Sequence, residues 1–298
     1  MFDERTVCNG IGTTTDDVFV LADAQRVGGG SINETWRLRG KCGREYFLKL
    51  NQPNQLEMFI AEAEGLQALA SADVIKVPEP VCYGGGNVAH SYLVLDYIQF
   101  SAGTVSAEQQ LGQQLAALHR VTSGQRGYGW HRDNTIGATP QPNAWKHEWV
   151  LFLREQRLGF QTQLASRNGA SKQILKKCRS VLDGLEFYFE QYKPEPSLLH
   201  GDLWSGNAGF DENNMPVIFD PAVYFGDRES DLAMTELFGG FSQHFYAGYE
   251  QTWPLDPGYK QRRELYKLYH ILNHFNLFGG SYAAQSEIIL DKILNYLP

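Results

Sequence analysis

The feature that most restricts how this chain can fold is a change of hydrophobic period near residue 100. Before it, short runs alternate as strands do, VFVLADAQRV, ETWRLRG, REYFLKL and SYLVLDYI, grouped around the turn GGGSIN. Beyond Phe100 the apolar residues recur every three or four positions through LGQQLAALHRV and residues 174–192, 262–278 and 285–296. A period of two puts alternate side chains on one face of a sheet, whereas a period near 3.6 makes a helical stripe. The expected fold is therefore α+β, with a small β-rich part at residues 1–98 and a larger helical part at 99–298. With 298 residues, 43% of them hydrophobic, there is enough apolar material for a large domain or for two lobes.

Each part carries one exception to its period. In the β-rich part, LEMFIAEAEGLQALA reads as a helix, with Leu56, Phe59, Ile60, Ala63, Leu66 and Leu69 as its apolar stripe and Glu62 and Glu64 on its polar face. In the helical part, residues 198–225 are rich in Gly, Asp and Asn and contain two β-like runs, AGF and PVIF.

Composition removes several function classes. The 26 basic and 34 acidic residues give a formal charge of -8 without any long Lys/Arg run, so nucleic acid is not an expected partner. The acidity suits either simple solubility or a cationic, amine-bearing substrate. Cys8, Cys42, Cys82 and Cys178 are far apart and lack zinc-type spacing, which predicts free thiols in a reducing compartment. With no signal-peptide pattern at MFDERTVCNG and no stretch of eighteen apolar residues, the expectation is a cytoplasmic protein without a membrane partner. No HExxH or Cys–His arrangement supports zinc or thiol hydrolysis.

The chemistry concentrates in LLHGDLWSGNAGF and the following PVIFDP. Asp202 stands five residues before Asn207, and Asp220 follows thirteen further on. Phosphoryl transfer needs a carboxylate to orient and deprotonate the attacking hydroxyl, plus hard oxygen ligands that hold Mg²⁺ against nucleotide phosphates. The spacing H-G-D-x-x-x-x-N with a later Asp supplies those parts, as H-R-D-x-x-x-x-N and D-F-G do in protein kinases. Singly, such residues also build turns. His200 is expected to orient the loop.

HGDLWSGN, FDPAVYFGDRESDLAM and LYHILNHFNLFGG together resemble the fructosamine kinase (ketosamine 3-kinase) family, relatives of the aminoglycoside and choline kinases. The likeness extends through GGGSIN, FLK, MFIAEAEGL, LVLDYI, LGQQLAALHR and DNTIGATPQPN, nearly the whole chain in order. It implies a protein-kinase-like, two-lobed fold with a β-rich N-lobe for the nucleotide and a helical C-lobe for catalysis and substrate. By the same resemblance Asp202 is the catalytic base, and Asn207 and Asp220 hold the metal. Lys49, in YFLKL, contacts the α- and β-phosphates, with Glu62 as its partner and Glu64 as the alternative. Gly28, Gly29, Gly30 and Ser31 cover the nucleotide, although Asn33 stands where G-x-G-x-x-G has its third glycine. Asp96, Tyr97 and Ile98 take the hinge position beside the adenine.

Two weaker substrate candidates follow. Trp204 either stacks on a sugar ring or packs against its own loop. Asp227 either faces the substrate or, with Arg228, Glu229 and Asp231, caps and pairs locally at the start of DLAMTELF. The implied activity is transfer of the ATP γ-phosphoryl group to a hydroxyl, C3 by resemblance, of a ketosamine such as a ribulosamine or fructosamine, free or protein-bound, in repair of glycated amines or proteins. The alternatives are another small-molecule kinase of this fold, acting on an aminoglycoside or choline, or a non-catalytic ATP-binding regulator.

Overall fold

In the computed structural model, residues 2–28, 32–85 and 89–298 are described. In chain order the elements begin with helix α1 (Glu4–Thr15), strands β1 (Leu21–Val27), β2 (Glu34–Gly40) and β3 (Glu45–Asn51), helix α2 (Leu56–Ser71), strands β4 (Pro80–Gly84), β5 (Ser91–Asp96) and β6 (Phe100–Ser101), and helix α3 (Val105–His119). Strands β7 (Asn134–Ile136) and β8 (Thr139–Gln141) precede helices α4 (Trp149–Phe152), α5 (Gly159–Arg167) and α6 (Lys172–Asp183). Strands β9 (Ser197–Leu199), β10 (Ala208–Asp211), β11 (Pro216–Ile218) and β12 (Tyr224–Gly226) come next, then helices α7 (Glu229–Leu237), α8 (Gln243–Thr252), α9 (Tyr259–Phe278) and α10 (Tyr282–Leu294).

The chain forms two compact units, Met1–Gly103 with Gly209–Asp220, and Thr104–Ala208 with Pro221–Pro298. Residues 209–220 join the first unit because β10 pairs with β6, Phe210 opposite Ser101 and Asp211 opposite Phe100. Lys76 adds an ion pair to Asp211 at 2.8 Å and its carbonyl accepts from the Ile218 amide at 3.0 Å.

The first unit is built on a five-stranded sheet in the order β1-β2-β3-β5-β4, antiparallel throughout. Its interior strands supply Leu38, Leu48, Leu93 and Val94, all excluded from solvent. Helix α2 buries Phe59, Ala63, Leu66 and Leu69, as its periodicity predicts, but Ile60 is only half-buried and Glu62 is turned inward. Helix α1 was not legible from the sequence. ERTVCNGIGTTT is rich in Gly and Thr, poor helix formers, and its buried face is just Val7 and Ile11. What starts it is a cap, Asp3 accepting from the Thr6 amide at 3.2 Å and its hydroxyl at 2.7 Å.

The second unit is helical around a core that includes Trp149, Phe152, Leu199, Tyr224, Leu265, Leu272 and Ile293. Helices α3 and α8 cross closely enough that glycine is required on both. A Cβ on Gly112 would lie 2.0 Å from the Phe245 carbonyl oxygen, and one on Gly248 would lie 2.1 Å from that of Gln109. Between α4 and α5 the helix widens into a π turn, Leu153–Leu158, and a Cβ on Gly159 would lie 2.3 Å from the Arg154 carbonyl oxygen. Among the described residues no helix is long and apolar enough to cross a membrane. Cys8, Cys42, Cys82 and Cys178 are free thiols.

One core residue gives this unit an acid sensitivity. His270, 3% exposed, has no hydrogen-bond partner for Nδ1, and burial, with His274 beside it, lowers its pKa to about 3. The unfolded chain takes up the proton below about pH 6.5, whereas the folded chain refuses it until about pH 3. Stability contributed by neutral His270 is thus whole above that range and falls as the pH drops through it. Urea unfolding should show a loss of about 2 kcal/mol from this group between about pH 7 and about pH 5. The His270→Phe variant should lose that part of the pH dependence, and an unchanged slope would refute the assignment.

Candidate active site

In the first unit the site begins with a lysine inside an apolar strand. β3 runs between β2 and β5, and Lys49, opposite Thr35 and Leu93, is only 3% exposed. A buried ammonium is tolerated only with paired charges. Lys49 Nζ lies 2.5 Å from Glu62 Oε1 and 2.5 Å from Asp220 Oδ1. Burial alone would lower its pKa, but the carboxylates of Asp220 and Glu62 outweigh that and raise it, so the cation persists. Burial pushes Glu62 up, against the opposing pull of Lys49. The glutamate that pairs with Lys49 is therefore Glu62, and its inward direction corrects the expectation that it belongs to the polar face of α2.

Asp220 follows β11 and has a left-handed backbone, φ 56°, uncommon for a residue with a Cβ. Its side chain keeps 48% of its exposure while bonded to Lys49, so carboxylate surface remains open to solvent. The loop before β11 is shaped by Asp211, whose Oδ1 accepts from the amides of Asn213 and Met215, each at 2.9 Å.

At the end of β5, Asp96 accepts from the Glu79 amide and donates its own amide to the Glu79 carbonyl at 3.0 Å. Its side chain is a structural clasp, with its pKa raised by burial. Tyr97 has the Arg37 guanidinium 4.6 Å from its ring centre, and Ile98 is half-buried. Gly28 faces open space and shows no need for glycine, while Gly29, Gly30 and Ser31 lie outside the described residues. Asn33 is engaged by Asn51 Nδ2 at 2.7 Å.

In the second unit, the buried strand β9 delivers His200, Gly201 and Asp202. Both oxygens of Asp231, on α7, accept backbone amides from this loop, His200 N–H and Gly201 N–H, each at 2.8 Å. Asp231 is 1% exposed. Burial pushes its pKa up, but the bond to His119, 3.1 Å away, outweighs this and holds it below the usual carboxylate range. Gly201 has φ 84°, and a Cβ there would lie 2.1 Å from the Ala222 carbonyl oxygen. The Asp202 amide donates to His200 Nδ1 at 3.2 Å, so His200 does orient the loop. Asn207, 6% exposed, donates its side-chain amide to the Asp202 carbonyl at 2.9 Å, which folds the four residues between them into one turn.

Trp204 lies flat over Gly206, where a Cβ would come within 2.2 Å of the ring, yet the indole is 40% exposed. It packs on its loop and still presents surface. Asp227 behaves otherwise than a substrate contact. It is fully buried and accepts from Tyr192 at 3.0 Å, Tyr266 at 2.5 Å and the Glu229 amide at 3.0 Å. Those donors make it an internal brace at the start of α7. Beside it, burial and the Asp227 charge raise Glu229 to about 8, against Arg262 at 2.8 Å.

Neither Asp231 as the anchor of the His200–Asp202 loop nor His119 behind it is evident from local sequence. One signal was present, a histidine in the apolar pattern of LGQQLAALHR, where burial demands a partner. Among the described residues no group of three or more His, Cys, Asp or Glu could hold a metal by itself.

The family model for fructosamine kinase matches residues 4–296. This chain belongs to the fructosamine kinase family. A probable ketoamine kinase of Synechocystis sp. is 46% identical to this family member over 295 residues, 97% of this chain and 96% of the relative. A chloroplastic protein-ribulosamine 3-kinase of Arabidopsis thaliana is 41% identical over 271 residues, 91% and 82% of the two chains. Among solved structures, a candidate fructosamine-3-kinase from Haemophilus somnus superposes on this fructosamine kinase family member with a TM-score of 0.87, at 29% identity and coverage of 97% and 96%. The aminoglycoside phosphotransferase APH(4)-Ia has a TM-score of 0.67 at 17% identity, with 98% and 99% covered, so the α+β kinase-like fold is shared. Membership in this family implies use of ATP.

Proposed function

We propose that this protein transfers the γ-phosphoryl group of ATP to the C3 hydroxyl of a ketosamine, a ribulosamine or a fructosamine, and serves in repair of glycated amines or proteins. The observation that carries this reading is the fructosamine kinase match over residues 4–296, on a chain that retains His200-Gly201-Asp202, Asn207, Asp220 and the Lys49–Glu62 pair. The names of the Synechocystis and Arabidopsis relatives support the substrate class.

In this mechanism the substrate hydroxyl oxygen attacks the γ-phosphorus, the bond to the β–γ bridging oxygen breaks, and ADP leaves. Asp202 orients that hydroxyl and accepts its proton. Lys49, kept cationic by its carboxylates, offsets charge on the α- and β-phosphates. An Asn amide oxygen and an Asp carboxylate are hard oxygen donors of the type Mg²⁺ prefers, which suits Asn207 and Asp220. The bound metal would neutralise phosphate charge. Residues 28–31 and 96–98 are proposed to contact the nucleotide through the backbone, with 1–98 as the nucleotide part and 99–298 as the catalytic and substrate part. Trp204, with its exposed indole, remains the substrate-stacking candidate.

ADP release from purified protein with Mg·ATP should be seen with ribulosamine or fructosamine and stay near background with choline and aminoglycosides. Turnover of either of the latter without any ketosamine turnover would overturn the substrate assignment.

A further inference from the structure

The motif DNTIGATPQPN has no part in the mechanism above, yet its side-chain amides, Gln141 and Asn143 buried and Asn134 half-buried, form one network against a single stretch of backbone. Gln141, at the end of β8, is 1% exposed, and its Nε2 donates to the Ala222 carbonyl at 3.0 Å and to Asn134 Oδ1 at 2.8 Å. Asn134 in turn donates Nδ2 to the next carbonyl, that of Val223, at 2.8 Å. Ala222 and Val223 are the second and third residues after Asp220.

Ala222 is held on its other side as well. Its amide donates to the His200 carbonyl at 2.8 Å, and its carbonyl oxygen occupies the space a Gly201 side chain would need. One residue thus joins the backbone of the His-Gly-Asp loop to the chain leaving the strained Asp220, and Gln141 fixes the direction of its peptide. Gln141 is itself locked, its Oε1 accepting from Tyr269 at 2.6 Å. Arg157, 1% exposed and carried by the π turn, donates to Asn143 Oδ1 at 2.7 Å, and Asn143 donates to Asn134 at 2.9 Å. Gln141 and Asn134 between them donate to both carbonyls, and Asn143 donates to the same Asn134 oxygen that accepts from Gln141.

We infer that Gln141 and Asn134 are positioning residues for phosphoryl transfer, clamping the Ala222 and Val223 carbonyls so that the segment following Asp220 and the loop carrying Asp202 keep one conformation. The clamp touches neither nucleotide nor substrate; it acts through Ala222. Because an amide can donate from nitrogen and accept at oxygen simultaneously, Gln at 141 meets both Ala222 and Tyr269, which neither Leu nor Glu can do.

The test compares Gln141→Leu and Tyr269→Phe with Tyr188→Phe, which removes a different buried hydrogen bond, that from Tyr188 to the Ile293 carbonyl at 2.6 Å. Gln141→Leu should lower kcat by about thirtyfold or more, since an ångström-scale loss of positioning costs about a hundredfold. It should also raise the Mg²⁺ concentration giving half-maximal rate by about fivefold or more, an expectation set by the same loss of positioning. Tyr269→Phe, which leaves the donating end of Gln141 in place and frees its Oε1, should shift both in the same direction by less. Tyr188→Phe should lose melting temperature while its kcat and metal dependence stay within about twofold, the size of change expected of a purely structural bond. Mn²⁺ binding to the protein with a non-hydrolysable ATP analogue, followed by electron paramagnetic resonance, gives a readout independent of turnover and should weaken in Gln141→Leu. The inference rests on the kinase reading, and the wild type separates the two failures. If the wild type turns over no ketosamine, the substrate reading fails and the Mn²⁺ experiment still decides the clamp. If Gln141→Leu does not fold, Tyr269→Phe decides. Variants that lose stability but keep kcat, metal dependence and Mn²⁺ binding at wild-type values would overturn the proposal.

Discussion

Asp202→Asn is expected to lower kcat by about a thousandfold or more while the loop keeps its backbone anchors. The expectation follows from which atoms build the loop. Asp202 contributes its amide to His200 and its carbonyl to Asn207, and Asp231 holds the preceding two amides, so these backbone anchors survive the substitution. What is lost is a carboxylate able to orient the hydroxyl and take its proton. A factor of a thousand corresponds to about 4 kcal/mol of barrier, a size consistent with a reaction that depends mainly on positioning and charge. ADP release with a ketosamine substrate and thermal unfolding of the same sample check both halves. Near-normal turnover would remove Asp202 from the centre of the mechanism.

Lys49→Met should damage both stability and activity. Removing one partner of a buried ion pair leaves the other charge uncompensated, a loss on the order of 3–5 kcal/mol. Here the stranded group is Glu62, with a side chain only 11% exposed against 48% for that of Asp220. The double variant Lys49→Met/Glu62→Gln should recover much of the stability, because no charge is left buried at that position. Activity should not recover, because no cation then meets the phosphates. Urea unfolding, a thermal-shift titration with Mg·ATP, and ADP release separate these effects. A double variant that regains turnover along with stability would show that Lys49 matters only to folding.

The change of period near residue 100 told strands from helices because propensity and periodicity act over a few neighbouring residues. Elements without that local signal escaped. Helix α1 has weak formers and two buried side chains, and only the Asp3 cap and its packing against the sheet explain it. The direction of Glu62 was misread for a related reason. A carboxylate beside Glu64 in an amphipathic helix looks solvated until a buried lysine thirteen residues earlier faces it. Asp227 had the opposite fate, because an acidic residue in YFGDRESD looks available to a ligand, whereas three donors enclose it.

By itself the sequence determined which chemical groups the chain possesses, in what local spacing, and, where the hydrophobic period is strong, which stretches form sheet or helix. Asp202 and Asn207 are five residues apart, and a single turn suffices to relate them. Tertiary structure alone decided the partners across long separations: Asp220 to Lys49 over 171 residues, Asp231 to Gly201 over 30, and Gln141 to Ala222 over 81. The reason is that packing removes water from polar groups wherever apolar surfaces close, and each such group must then be met by whatever the fold brings alongside.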